Sequence, residues 1–189
     1  MELARINLAL AILLFSKAVI LHAGGDSGPV DWAGDLDPPP KEKLTYLHFY
    51  FHDVPSGHHE TAFKIAEATI TNKSDTLFGL LVAADDPLTV GPEPTSRMIG
   101  RAQGIYALAS REETTLLLAM YYYFTEGKYN GSSISIFGRN AVAHKHREMP
   151  VVGGTGVFRL ARGYALSTHY SSDVENGDII EFNVTVFHY

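Results

Sequence analysis

Two charged side chains in this sequence sit where they could do chemistry on a small organic molecule. Asp53 closes the aromatic run LHFYFHD, and Arg147 stands just before a segment with three glycines in four positions, at 153, 154 and 156. In a strand, alternate residues share a face, so Asp53 falls on the same side as Leu47, Phe49 and Phe51. If that side lines a cavity, burial raises the carboxyl pKa and suits it to donate a proton. The other reading is a carboxylate that caps the turn at Pro55. Tyr106, in GRAQGIY, and Arg147, in HKHREMP, have the right chemistry to join such a site, but spacing alone does not bring the three together.

Other chemistries find no support. The glycines of EMPVVGGTGVFRLARGYA suggest a phosphate cradle, yet no Gly-Lys-Ser/Thr closes the loop, and Arg159 stands where a dinucleotide fingerprint needs its third glycine. They read better as a bend in a strand over 156–167, with Arg159 and Arg162 on its opposite faces. The nine histidines contain no HExxH. His48 and His52 lie four apart on one strand, ~13 Å at ~3.3 Å per residue, too far to share an ion, and no metal site is expected. There is no Gly-x-Ser-x-Gly elbow, and without cysteine there is no thiol nucleophile and no cluster ligand.

The elements that must position these residues are strands. Hydrophobic residues make up 46% of the 189 residues, enough to fill the core of one ordinary domain. Fifteen basic and 21 acidic residues, net charge -6 and no long run of either sign, argue against nucleic acid or an anionic membrane as partner. Strand signals recur at 44–53, 63–71, 77–84, 99–109, 114–125, 132–137, 156–167 and 179–187, with turn residues between. Eight strands and no amphipathic helix imply an all-β domain, either a closed antiparallel barrel or a sandwich. The run TTLLLAMYYYF is long enough for a helix, but its aromatic end favours a strand.

The chain opens with Arg5, an apolar run over 6–15 and a second apolar patch ending in small residues, the pattern of a secretory leader over 1–23. Lys17 breaks the run before the ~20 apolar residues of a membrane span. Residues 24–43, ending in three prolines, read as a flexible mature N-terminus. Sequons at Asn72, Asn130 and Asn183 agree with secretion and glycosylation.

Taken in order, five stretches resemble the plant dirigent protein family: LHFYFHD (47–53), DDPLTVGP (85–92), GRAQGIYA (100–107), FTEGKYNGSSISIFGRN (124–140) and REMPVVGGTGVFRLARGYA (147–165). The resemblance spans most of the chain from residue 44 to 189. It implies an eight-stranded antiparallel β-barrel, a homo-oligomer that is commonly a trimer or else a dimer, secreted to the plant apoplast and cell wall. It also implies the activity. Phenoxy radicals such as those of coniferyl alcohol, made by a separate laccase or peroxidase, are held so that they couple on one face to an optically active lignan. The barrel itself uses no cofactor and oxidises nothing.

By the same resemblance Asp53 and Arg147 are the catalytic pair, with Tyr106 and Asn140 against the substrate; Phe49 and Phe51, on the face of Asp53, are expected to line the same pocket. Asn140 is a departure, because pinoresinol-forming members carry a second aspartate there. An amide can hold a substrate oxygen but cannot donate a proton as an acid. Other relatives are enzymes that cyclise an isoflavanol to a pterocarpan through a quinone methide, and this is the second function implied.

Overall fold

A computed structural model describes residues 34, 37–38, 40–173 and 177–189. The leader expected over 1–23 and most of the segment 24–43 lie outside the described residues.

The chain forms nine strands: β1 (Lys43–Asp53), β2 (Ala62–Ala66), β3 (Leu81–Thr89), β4 (Met98–Leu108), β5 (Leu116–Phe124), β6 (Ser133–Asn140), β7 (His146–Thr155), β8 (Arg162–Asp173) and β9 (Gly177–His188). They hydrogen-bond in the order β1-β9-β8-β7-β6-β5-β4-β3-β2, every pair antiparallel, and β1 returns to pair with β3. β1 meets β3 through Tyr50–Thr89 and Phe51–Leu88, while β2 meets the other half of β3, from Leu81 to Ala84. β1 and β2 thus share one edge, and nine strands fill eight positions of a closed antiparallel barrel. Closure removes the free edges that an open sheet leaves exposed.

Alternation explains the interior. On β5 the residues Leu118, Met120, Tyr122 and Phe124 are buried, and on β9 Ile180, Phe182, Val184 and Val186. One end of the interior is filled by rings: Phe49 stacks on Phe182 at 5.6 Å and 9°, and Phe158 meets Tyr129, Phe124 and His188 at 4.9, 5.9 and 5.1 Å. Aromatic pairs at these separations add to the energy of burial.

The strand expected over 156–167 is two elements. β7 ends at Thr155, a 3-10 helix follows at Gly156–Phe158, and β8 starts at Arg162. Gly156 takes φ +61° against Ser132, where a Cβ would come within 2.5 Å of the hydroxyl, so the glycine turns the chain between strands. Arg159 and Arg162 therefore do not flank one strand: Arg159 ends the 3-10 helix, and Arg162 begins β8 with its guanidinium on Glu42. The strand expected over 63–71 stops at Ala66, and that expected over 77–84 begins at Leu81 and runs on through the DDPLT motif. Leu77, at φ +54°, closes a turn by donating its N–H to the Ser74 carbonyl, and β3 starts only at Leu81.

Candidate functional site

The open half of the barrel holds a cavity of about 280 Å³. Inward alternation delivers its walls: Phe51 and Asp53 from β1, Tyr106 from β4, Leu116, Leu118 and Tyr122 from β5, Asn140 from β6, Arg147 from β7, and Asp178, Ile180 and Phe182 from β9. Five of the six expected site residues therefore share one space. Phe49 does not: at 1% exposure it lies one layer below, packed on Phe182, Tyr122 and Phe124. A second cavity of about 320 Å³ adjoins the first and shares Asp53, Tyr106, Leu116, Val142 and Asp178 with it.

Asp53 carries the raised carboxyl of this wall. Burial, then the charge of Asp178, raise its pKa from 3.8 to about 6, against a long 3.4 Å hydrogen bond from the Tyr106 hydroxyl to Oδ2. Its Oδ1 has no partner. Asp178 is its cross-strand neighbour on β9, so these two carboxyls are placed together by register. The same burial and carboxylate charges push the Tyr106 phenol up, so its proton stays available for donation.

Arg147 is 6% exposed. Its Nη1 donates to Asn140 Oδ1 at 3.4 Å, while Nε and Nη2 have no partner. Burial lowers its pKa, with Asp178 and Tyr122 acting the other way, but a guanidinium stays protonated in proteins. Beside it the Tyr122 hydroxyl is buried without a partner, and burial drives that phenol well up. Buried donors without acceptors are costly unless something accepts from them. Here they form a cluster of N–H and O–H groups suited to a carbonyl or phenolate oxygen, with Asp53 in the same cavity wall and aromatic faces at Phe51, Tyr122 and Phe182.

Four residues of this region escaped the sequence analysis. Tyr122 was legible in principle, since it shares the even-numbered face of Leu118 and Met120. Asp178 reaches the cavity through its pairing with Asp53 on β1, and His169 through the β8–β9 pairing, at a register shift between residues 169 and 171. Asp86 is 0% exposed on the interior side of β3, its Oδ1 taking a 2.5 Å hydrogen bond from Thr61 Oγ1 and its Oδ2 unpaired. Burial and Asp53 raise its pKa to about 8. Among the described residues no group of three His, Asp or Glu side chains is arranged to hold a metal. His52 is instead buried against Thr89, at 2.7 Å, while His48 lies exposed against Glu181 at 2.8 Å.

The chain thus forms a closed antiparallel β-barrel with an aromatic cavity, one guanidinium and one raised carboxyl in its wall. Residues 44–187 match the Dirigent-like protein family model, and the chain belongs to that family. It is 49% identical over 148 residues to Dirigent protein 21 of Arabidopsis thaliana, covering 78% of each chain. It is 50% identical over 151 residues to Pterocarpan synthase 1 of Glycyrrhiza echinata, covering 79% of this chain and 80% of that one. Among solved structures, that of the pterocarpan synthase dirigent protein GePTS1 superposes with a TM-score of 0.73 at 48% identity, over 81% of this chain and 89% of that one.

Proposed function

We propose that this protein binds a phenolic small molecule and sets the face on which a new bond forms, by assisting closure of a hydroxyl onto a bound quinone methide. The observation that carries this is Asp53, a carboxyl raised to about 6 at an aromatic cavity that also holds Arg147 with two free N–H groups. Arg147, Asn140 and Tyr122 hold the carbonyl oxygen, and Asp53, with Tyr106 behind it, protonates that oxygen as the ring closes. Stacking on Phe51 and Phe182 exposes one face to the attacking hydroxyl. The pterocarpan synthases at about half identity support this reading. Incubation with an isoflavanol, which yields the quinone methide by losing its benzylic hydroxyl and a phenol proton as water, and no oxidant tests it: a pterocarpan of one hand is expected, and no consumption overturns it.

The second reading is stereochemical guidance of phenoxy radical coupling, with the radicals supplied by a separate laccase or peroxidase. It is favoured by the second cavity beside Asp53 and Tyr106, which gives room for a second ring. Coniferyl alcohol with a one-electron oxidant should then yield one lignan enantiomer in excess, and a racemic product at every protein concentration removes this reading.

The leader pattern over 1–23 supports secretion to the apoplast. Self-association, as a trimer or dimer, is supported by exposed Ile105, Leu117, Tyr121, Phe137 and Val152 on the outer faces of β4 to β7. Sedimentation velocity of the mature chain gives the copy number.

A further inference from the structure

Asp86 stands apart from the cavity wall but is tied to it in two ways. Through the β3–β4 and β4–β5 registers, Asp86, Ala102 and Tyr122 form one cross-strand row, and only the small side chain of Ala102 separates the carboxyl from the tyrosine. On its other side, Thr61 Oγ1 donates to Asp86 Oδ1 at 2.5 Å and accepts the Val54 backbone N–H at 3.0 Å, the amide directly after Asp53. One hydroxyl thus joins the buried carboxyl to the chain that carries the acid. Asp86 Oδ2, Asp53 Oδ1 and Tyr122 Oη are all buried and all unpaired.

We propose that Asp86 is a positioning residue that holds a proton behind Asp53, so that the two carboxyls act as one acid and the acid function absent at Asn140 is supplied from β3. This deepens the ring-closure reading and rests on it. In the closing step the pair gives one proton to the carbonyl oxygen of the quinone methide while the neighbouring hydroxyl oxygen bonds to the methide carbon. The proton of that hydroxyl returns to the pair, so protons and charge balance and no oxidant or reductant is needed.

The groups that face Asp86 favour this. Burial, then the charge of Asp53 on β1, oppose its ionisation; the Thr61 hydroxyl and Arg101 on β4 favour it less strongly than these, and Asp85 on β3 opposes it least of all. Tyr106 on β4 and Tyr122 on β5 are neutral phenols whose own ionisation Asp86 opposes. Asp53 loses its proton near about 6 and Asp86 near about 8, so between those values the pair holds a single proton.

The pH–rate profile of isoflavanol cyclisation, measured on wild type, Asp86→Asn and Thr61→Val, tests the proposal. Wild type should stay active up to pH about 8, whereas Asp86→Asn should decline above about 6, roughly tenfold per pH unit. A rate lowered equally at every pH, with the limb unmoved, would make Asp86 merely structural. Thr61→Val keeps the carboxyl but removes a bond that favours its charged form, so the upper limb should move to higher pH; an unmoved limb counts against the proposal. Infrared difference spectroscopy reads the proton without turnover. A protonated carboxyl band should persist at neutral pH in wild type and disappear in Asp86→Asn. If wild type does not cyclise the isoflavanol, the ring-closure reading fails while this band still decides whether Asp86 holds its proton.

Discussion

Arg147 Nη1 reaches Asn140 Oδ1 at 3.4 Å across the β6–β7 turn, so the buried guanidinium faces an amide where an aspartate would have neutralised it. Its charge and two of its N–H groups stay available to a ligand. Asn140→Asp should close a buried ion pair with Arg147 and take up donors that a phenolate would use. Affinity for a phenolate probe, measured by calorimetry, should fall roughly tenfold, equivalent to about 1.4 kcal/mol.

Asp53→Asn keeps the shape of the wall and removes its proton. Ring closure should slow by roughly 10²- to 10⁴-fold, the usual worth of a positioned general acid. Ligand affinity should change little, because the amide still accepts from Tyr106. Single-turnover kinetics beside equilibrium binding separate the two effects.

Phe49 marks the boundary between site and core. Phe49→Ala removes the ring stacked on Phe182 and should cost about 3–5 kcal/mol of stability. Phe49→Leu should cost less and leave product handedness intact, because residue 49 does not border the cavity. Denaturant midpoints and chiral chromatography on the same two variants check both statements.

Stability should fall as the solution becomes less acidic. Asp53 and Asp86 both bind their protons more tightly folded than unfolded, with pKa values raised from 3.8 to about 6 and about 8. Their stabilising contribution is complete below the unfolded value and is lost as pH rises first through about 6 and then through about 8. Each tenfold gain in proton affinity on folding is worth at most about 1.4 kcal/mol. Urea midpoints in acid, neutral and mildly alkaline buffer should decline in that order, and Asp86→Asn should flatten the alkaline part.

The three sequons differ in accessibility. Asn72 and Asn130 are exposed, in the 3-10 helix Thr71–Lys73 and in the turn after Gly127–Tyr129. Asn183 lies within β9, and its side-chain carbonyl accepts from the Tyr46 hydroxyl. Mass spectrometry of the protein produced through a plant secretory pathway should find glycans on the first two and an unmodified Asn183.

What the residues disclosed beforehand follows from how local each signal is. β1 was legible because Leu47, Phe49 and Phe51 alternate with polar neighbours up to a proline turn. β7 was not, because Pro150, Gly153 and Gly154 carry weak strand preference, and the strand exists only through its neighbours β6 and β8. Asp53, Tyr106 and Arg147 announced their chemistry without their proximity, which needs three separate strands to close around one axis. Asp86 gave no sign of burial, sitting in DDPLT beside Asp85, a residue that faces outward onto Arg101.

The barrel is closed at unequal strength around its circumference. β1 runs along β9 for eleven residue pairs but touches β3 through only two, and the five-residue β2 covers the rest of that edge with a bulge. This seam adjoins Asp53 and the loop that returns through Thr61. Amide hydrogen exchange should be fastest along β2 and slowest where β8 meets β9, and a bound ligand should slow the β2 amides first. The wall that carries the acid would then also be the wall that breathes, and the rate at which it opens would set an upper limit on how quickly a bulky, rigid molecule enters or leaves.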